Sequence, residues 1–405
     1  MTSLQSHTRR GFLATLGLAA GAHRALSQTN TPPTPQADYG FAPGLIYLNT
    51  GSLGPTSRQV LDRTIQAWRD VESNPVQMSY SSGAVHVATD GVRAAAAALI
   101  GCSADDVLIT RSTTEAMNTA ALGLQLGRGD RVLTTDQEHH GGTDCWTYLA
   151  RRRGVVVDTV PITPADRDVV SIVDRFARAL RRATRVICVS HILSSTGLRM
   201  PIAEIAALAR ARGVLCIVDG AQALGQIAID VKALGCHAYA ASGHKWLMGP
   251  KGTGLLYVSP DAAEAIAPIQ WEGGKRYVGG STGVGSLPLV LGLGVAIEQA
   301  AARGVASIER RLLELRAYTI KQLQRLPQVE VINAAAGSSA SALVAFILPD
   351  RIDSQVVQLA LRDKHKIVVK LVEKRWFNGI RISPHVFNTE AEIDRAVQAL
   401  RAELT

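Results

Sequence analysis

The chain has 405 residues, 47% of them hydrophobic, which suits a globular protein with a large core and excludes a disordered one. Aromatic residues make up only 5%, so a palette rich in Ala, Gly, Leu and Val favours helices packed on a sheet over an aromatic-rich β-sandwich. The formal net charge is +9, but the basic residues are scattered over stretches such as "RFARALRRATR" without interleaved aromatics, which speaks against nucleic acid as a partner.

In chain order, "TRRGFLATLGLAAGA" comes first. It sets Arg9 and Arg10 before Phe12 and Leu13, then an apolar stretch too short to span a bilayer, then small residues such as Ala20 and Ala22 suited to a signal peptidase. Residues 1–28 resemble a twin-arginine export signal, and "SQTNTPPTPQ" opens a Pro/Thr-rich linker over 29–39. The expectation is therefore a periplasmic or otherwise exported protein, carried by the twin-arginine machinery. No later segment is long and apolar enough to span a membrane, so stable insertion is not expected.

"LIYLNTGSLGP" reads as a short strand turning at Gly51 and Gly54, with a helix to about Val71. Seven apolar runs follow, separated by helix-length segments: "DVLIT", "DRVLTT", "VVVDTVPI", "RVICVS", "VLCIVDG", "CHAYAAS" and "GLLYVS". This pattern predicts an α/β domain over 40–287 with a mostly parallel seven-stranded sheet. Downstream of a helix beginning near Pro288, strands "VEVIN", "ALVAFILP", "KIVVKLV" and "GIRIS" alternate with amphipathic helices, predicting a smaller α+β domain over 288–405. The five cysteines show neither a CxxC pair nor metal-ligand spacing, so no metal is expected, and those in "VICVS" and "VLCIVDG" read as small core hydrophobes.

Polar residues cluster where strands end. "CIVDGAQALGQ" closes an apolar strand with Asp219 and presents Gln222 three residues later. "RSTTEAMN" opens a helix with Ser112, Thr113 and Thr114, whose hydroxyls and free amides make an anion site as well as an ordinary cap. "TTDQEHHGGTDCW" offers His139 as a flat ring, and "ASGHKWLMGPKGTGLLYV" places Lys245 behind Ser242 and His244 and ahead of two Gly-containing turns. A carboxylate, a phosphate cradle, a stacking ring and a desolvated lysine in one cleft answer the needs of pyridoxal 5'-phosphate. In that reading Lys245 forms the Schiff base, Asp219 pairs with the ring nitrogen, Gln222 bonds the ring oxygen, and Ser242, His244, Thr113 and the adjacent Thr114 hold the phosphate.

These motifs resemble the class V aminotransferases, fold-type I pyridoxal-phosphate enzymes, in the branch of the isopenicillin N epimerase-like proteins and cysteine desulfurases. The likeness runs from about residue 40 to the C-terminus. It implies that His139 stacks on the cofactor ring, that Arg381 in "GIRISPHVFN" takes the substrate carboxylate, and that Asn49 and Gly51 line the substrate mouth. It also implies a homodimer with shared active sites. Where relatives place a phosphate-binding Thr from the partner, "GGSTGVGSLPL" has Val284, so that role either passes to Ser281 or Thr282 or lapses.

A persulfide-forming desulfurase needs a mobile thiol in the C-terminal part, and no cysteine follows Cys236. The expectation is an enzyme acting at the Cα or amino group of an amino-acid-like small molecule, of aminotransferase or epimerase type. The alternatives are a carbon-sulfur lyase without a persulfide cysteine and, from another class, a non-catalytic protein on the same scaffold.

Overall fold

The computed structural model describes residues 36–75, 84–267, 269, 286–332 and 337–404. The leader, most of the linker, and Ser281, Thr282 and Val284 lie outside the described residues.

The two-residue strand β1 (Ile46–Tyr47) is followed by helices α1 (Arg58–Ser73) and α2 (Ala84–Ile100). The seven apolar runs then form one sheet: β2 (Val107–Thr110), β3 (Arg131–Thr135), β4 (Val156–Val160), β5 (Thr184–Ser190), β6 (Leu215–Asp219), β7 (Ala238–Ser242) and β8 (Gly254–Val258). Their spatial order is β2-β8-β7-β6-β5-β3-β4. Only β8 runs against its neighbours, so β2 and the five other strands all point their C-terminal ends to one edge. The expected α/β fold with a mostly parallel sheet is thus what the chain adopts.

Strands covered on both faces must be apolar at every position, and β7 and β8 are buried throughout. The pleat divides the side chains between two cores: Val186 and Cys188 of β5 point to one face, Ile187 and Val189 to the other. The first face is covered by α3 (Thr113–Gly123) and α4 (His140–Arg153) through Met117, Trp146 and Leu149. The second is covered by α2, α5 (Val169–Ala179), α6 (Ile202–Ala211) and α8 (Leu287–Arg303) through Ala96, Phe176, Ile205 and Leu293. The short α7 (Val231–Leu234) caps the approach to β7.

After α8 the chain breaks at Gly304 into α9 (Val305–Leu323), whose Ile308 and Leu312 still join the sheet core while Leu315 and Leu323 enter a separate one. That second core lies under a four-stranded antiparallel sheet, β12-β13-β10-β9, built from β9 (Glu330–Ile332), β10 (Val344–Ile347), β12 (Lys370–Leu371) and β13 (Gly379–Ile382). Helices α10 (Ser354–Asp363) and α11 (Glu390–Leu404) pack on it through Leu361 and Leu400. No single helix among the described residues is long and apolar enough to cross a membrane.

"KIVVKLV", read above as one strand, divides at the buried Val369. Its first half, β11 (Ile367–Val368), pairs in parallel with β1, and its second half, β12, turns to β13. The demand comes from the N-terminal segment: the Ile46 and Leu48 amides donate to the Lys366 and Val368 carbonyls, and the Thr50 amide to the Ser383 carbonyl. Unpaired backbone would otherwise be buried there. This threading carries residues 49–54 from the second sheet to the edge of the first.

Candidate active site

The C-terminal ends of β2, β3, β5, β6 and β7 converge on one cavity of about 340 Å³, the position where open parallel sheets bind ligands. Lys245 enters it from the loop after β7. The loop is closed by its own backbone: the Gly243 amide donates to the Thr253 carbonyl, Gly249 to Gly243, and Met248 to Lys245 at 3.0 Å. Met248 takes φ +58, a left-handed conformation that costs a non-glycine residue about 1–2 kcal/mol and that the closed loop enforces. From the other side the Gly54 amide donates to the His244 carbonyl at 2.8 Å. A Cβ on Gly54 would lie 1.9 Å from the Lys245 carbonyl oxygen, so only glycine allows this approach. Burial pulls the Lys245 ammonium down to about 8, with Asp219 opposing the shift.

Asp219 closes β6 and is buried; its Oδ1 accepts the Ala221 amide at 2.8 Å. Burial raises its pKa and the Lys245 charge works against that rise. The first turn of α4 passes beside it. A Cβ on Gly142 would sit 2.6 Å from Asp219 Oδ2, and one on Gly141 would sit 2.5 Å from Thr114 Oγ1. The two glycines therefore leave the carboxylate and Thr114 open to the cavity, with room for a flat group. His139 caps α4, its Nδ1 accepting the Gly141 amide at 3.0 Å, which leaves the ring proton on Nε2. Burial, then the Lys245 charge, lowers its pKa to about 4, so the ring is neutral.

The anion site expected at α3 has a definite construction. Ser112 is the N-cap, its hydroxyl accepting the Glu115 amide, while the Glu115 carboxylate accepts the Arg111 amide. Capping and ligand binding thus share one helix end. Thr113 Oγ1 lies 2.6 Å from Ser242 Oγ, a hydroxyl pair from two elements far apart in sequence, and Thr114 and His244 complete that side of the wall.

On the opposite side Arg381 of β13 is 3% exposed, its Nη1 donating to the Ser194 carbonyl and its Nη2 to the Ser52 hydroxyl. Its Nε–H has no partner among the described residues. Burial lowers this guanidinium to about 10. A buried cation with only neutral partners is costly unless an anion joins it.

Gln222 lines the cavity, but its amide is engaged: Nε2 donates to the Gly51 carbonyl and Oε1 accepts the Trp246 indole N–H, each at 2.8 Å. One amide hydrogen remains to offer a ligand. Gly51 also lines the cavity, whereas Asn49 stands one step behind it, accepting the Ser52 hydroxyl on Oδ1 at 2.7 Å. Ser281 and Thr282 fall outside the described residues.

Sequence reasoning missed several residues of the wall. Ser52 and Ser194 orient Arg381, Lys370 comes from the second half of the divided strand, and Glu373 and Trp376 come from the segment after it. Behind the wall, Glu138 accepts the Ser190 amide and hydroxyl and the Thr135 hydroxyl, tying the ends of β3 and β5 together beside Asp219; burial raises its pKa to about 7. The available signal was its place directly before His139.

The family model for aminotransferase class-V matches residues 46–396. The isopenicillin N epimerase of Amycolatopsis lactamdurans is 32% identical over 382 residues, covering 89% of this chain and 95% of that protein. A cysteine desulfurase of Cronobacter sakazakii is 30% identical over 344 residues, covering 77% and 81%. Among solved structures, C-DES with glycine covalently linked to its PLP cofactor superposes with a TM-score of 0.83 at 24% identity, over 91% of this chain and 99% of that one.

Proposed function

We propose that this chain, which belongs to the aminotransferase class-V family, uses pyridoxal 5'-phosphate to break the Cα–H bond of an amino acid and return a proton there, an epimerase-type reaction. The observation that carries this reading is the meeting in one cavity of Lys245, Asp219 and Arg381, a guanidinium without an acidic partner among the described residues. The names of the isopenicillin N epimerases among its relatives support the same choice.

The residues fit the cofactor: the glycine pair 141–142 leaves space against Asp219, and α3 offers its N-terminus to the phosphate. When bound, pyridoxal phosphate supplies an electron sink for the pair left behind when a bond at Cα breaks. The chain's residues do the rest. Lys245 would hold the cofactor and, when not engaged with it, would be the base beside Cα; its depressed pKa suits it to take and give a proton near neutrality. Asp219 would favour a proton on the ring nitrogen by its charge, and the neutral His139 would offer its flat face to the ring. Thr113, Ser242 and His244 would hold the phosphate, and Arg381 would clamp the substrate carboxylate with its planar fork.

Amino-group transfer is the second reading, since it begins with the same bond. Persulfide chemistry is disfavoured: Cys145, Cys188, Cys216 and Cys236 are buried with their thiols held well above the usual range, and Cys102 precedes β2, away from the edge that bears the cavity. The test is incubation of the holoenzyme with single enantiomers in deuterated water. Deuterium at Cα with formation of the opposite enantiomer is the expected result, and a 2-oxo acid would mark transfer instead. Substrates that exchange no Cα proton at all would sink both.

Export and assembly are proposals on the sequence. Cell fractionation should find the protein outside the cytoplasm and find an Arg9→Lys, Arg10→Lys variant retained inside; equal export of both would remove the twin-arginine reading. Two copies are proposed to share their sites, and a sedimenting species of single-chain mass would contradict that.

A further inference from the structure

Lys370 and Arg381 stand directly opposite each other in the antiparallel pair of β12 and β13. Residues so paired project to one face with Cβ atoms about 4.5–5.5 Å apart, and like charges there repel. Both line the cavity. Among the described residues Arg381 donates to two neutral oxygens and has no acidic partner, and Lys370 makes no ion pair or hydrogen bond, the Glu373 carboxylate acting on its charge only from beyond ion-pair distance. The carboxylate of the same wall, Glu373, is already engaged by Arg375 Nε at 2.8 Å and by His140 Nε2 at 3.4 Å.

The charges of the occupied site can be matched one by one, on the reading of the cavity as a site for an amino acid bound at Cα. The phosphate meets the α3 N-terminus and its hydroxyls, Asp219 meets the ring nitrogen, and one guanidinium takes one α-carboxylate in a bidentate clasp. Lys370 is left over, at the rim, on a flexible stem that presents a point charge rather than a fixed fork. We propose that Lys370 receives a second anionic group, so that the substrates are α-amino acids whose side chain ends in an acidic group such as a carboxylate or sulfonate. The α-carboxylate sits inward on Arg381, and the side chain runs outward along β12 to the ammonium.

The test is titration of the holoenzyme, with binding followed by the cofactor absorbance. Aspartate, glutamate and 2-aminoadipate are set against asparagine, glutamine and norleucine, in both enantiomers, and cysteate separates sulfonate from carboxylate. At least one acidic amino acid should bind roughly tenfold or more tightly than its neutral counterpart, the effect of one charge-assisted hydrogen bond. In Lys370→Met that ratio should fall to within about twofold, and in Lys370→Arg it should recover. A ratio within about twofold in the natural protein overturns the proposal whatever the variants do, as does an undiminished ratio in a folded Lys370→Met. Absence of a spectral response to every amino acid, acidic and neutral alike, instead removes the Cα reading and this inference with it.

Discussion

A Lys245→Ala protein is expected to fold, to bind pyridoxal phosphate only reversibly, and to lose turnover by at least about 10⁴-fold, since covalent anchor and base vanish together. Folding should survive because the loop is held by backbone: the bonds from Met248 to the Lys245 carbonyl and from Gly54 to the His244 carbonyl involve no side-chain atom of residue 245. Removing a buried ammonium also removes its desolvation cost. The depressed pKa adds a pH signature in the natural protein. Below about 8 the ammonium dominates and cannot attack, so covalent capture of the cofactor by the apo protein should accelerate as pH rises through that value. Stopped-flow absorbance measures this directly, and a pH-independent capture rate would count against Lys245 as the attacking amine.

Asp219→Asn is expected to lower kcat by roughly 10²–10³-fold, the scale seen when one preorganised electrostatic partner is removed from a reacting centre. Asparagine is nearly isosteric and can still accept the Ala221 amide, so the backbone after β6 should not move. Burial opposes the carboxylate charge, which makes the neutral amide no worse for stability and separates the catalytic effect from a folding one. Equal thermal midpoints with a collapsed kcat are the expected pair of measurements. Near-normal turnover would make Asp219 a structural carboxylate.

The parts of this site that sit at strand ends were legible in the sequence, because strand ends announce themselves: an apolar run stops and a polar residue follows. Asp219 after "CIV", Ser112 after "VLIT" and Lys245 after "AYAAS" each obey that rule, and a parallel sheet brings such ends to one edge. What depended on long-range register was hidden. The pattern in "KIVVKLV" does not say that β1 will claim its first half, and without that division Lys370 is not placed opposite Arg381. Gln222, expected to bond the ring oxygen, keeps one amide hydrogen for that role, but the groups that fix its amide, the Gly51 carbonyl and the Trp246 indole N–H, are distant in sequence. Of Asn49 and Gly51, both expected at the mouth, Gly51 lines the cavity together with Ser52, while Asn49 is bridged to Ser383 beside them. Such placements follow from pairing between distant segments, on which local sequence is silent.

The most direct test of the central claim is chemical. The holoenzyme is reduced with borohydride, digested, and its peptides are sequenced by mass spectrometry to locate the pyridoxyl group. The account predicts a single labelled lysine, Lys245, whose ammonium is buried in the cavity beside Asp219. A label on Lys251 or Lys370, or no covalent label in a protein that nonetheless turns over amino acids, would contradict it.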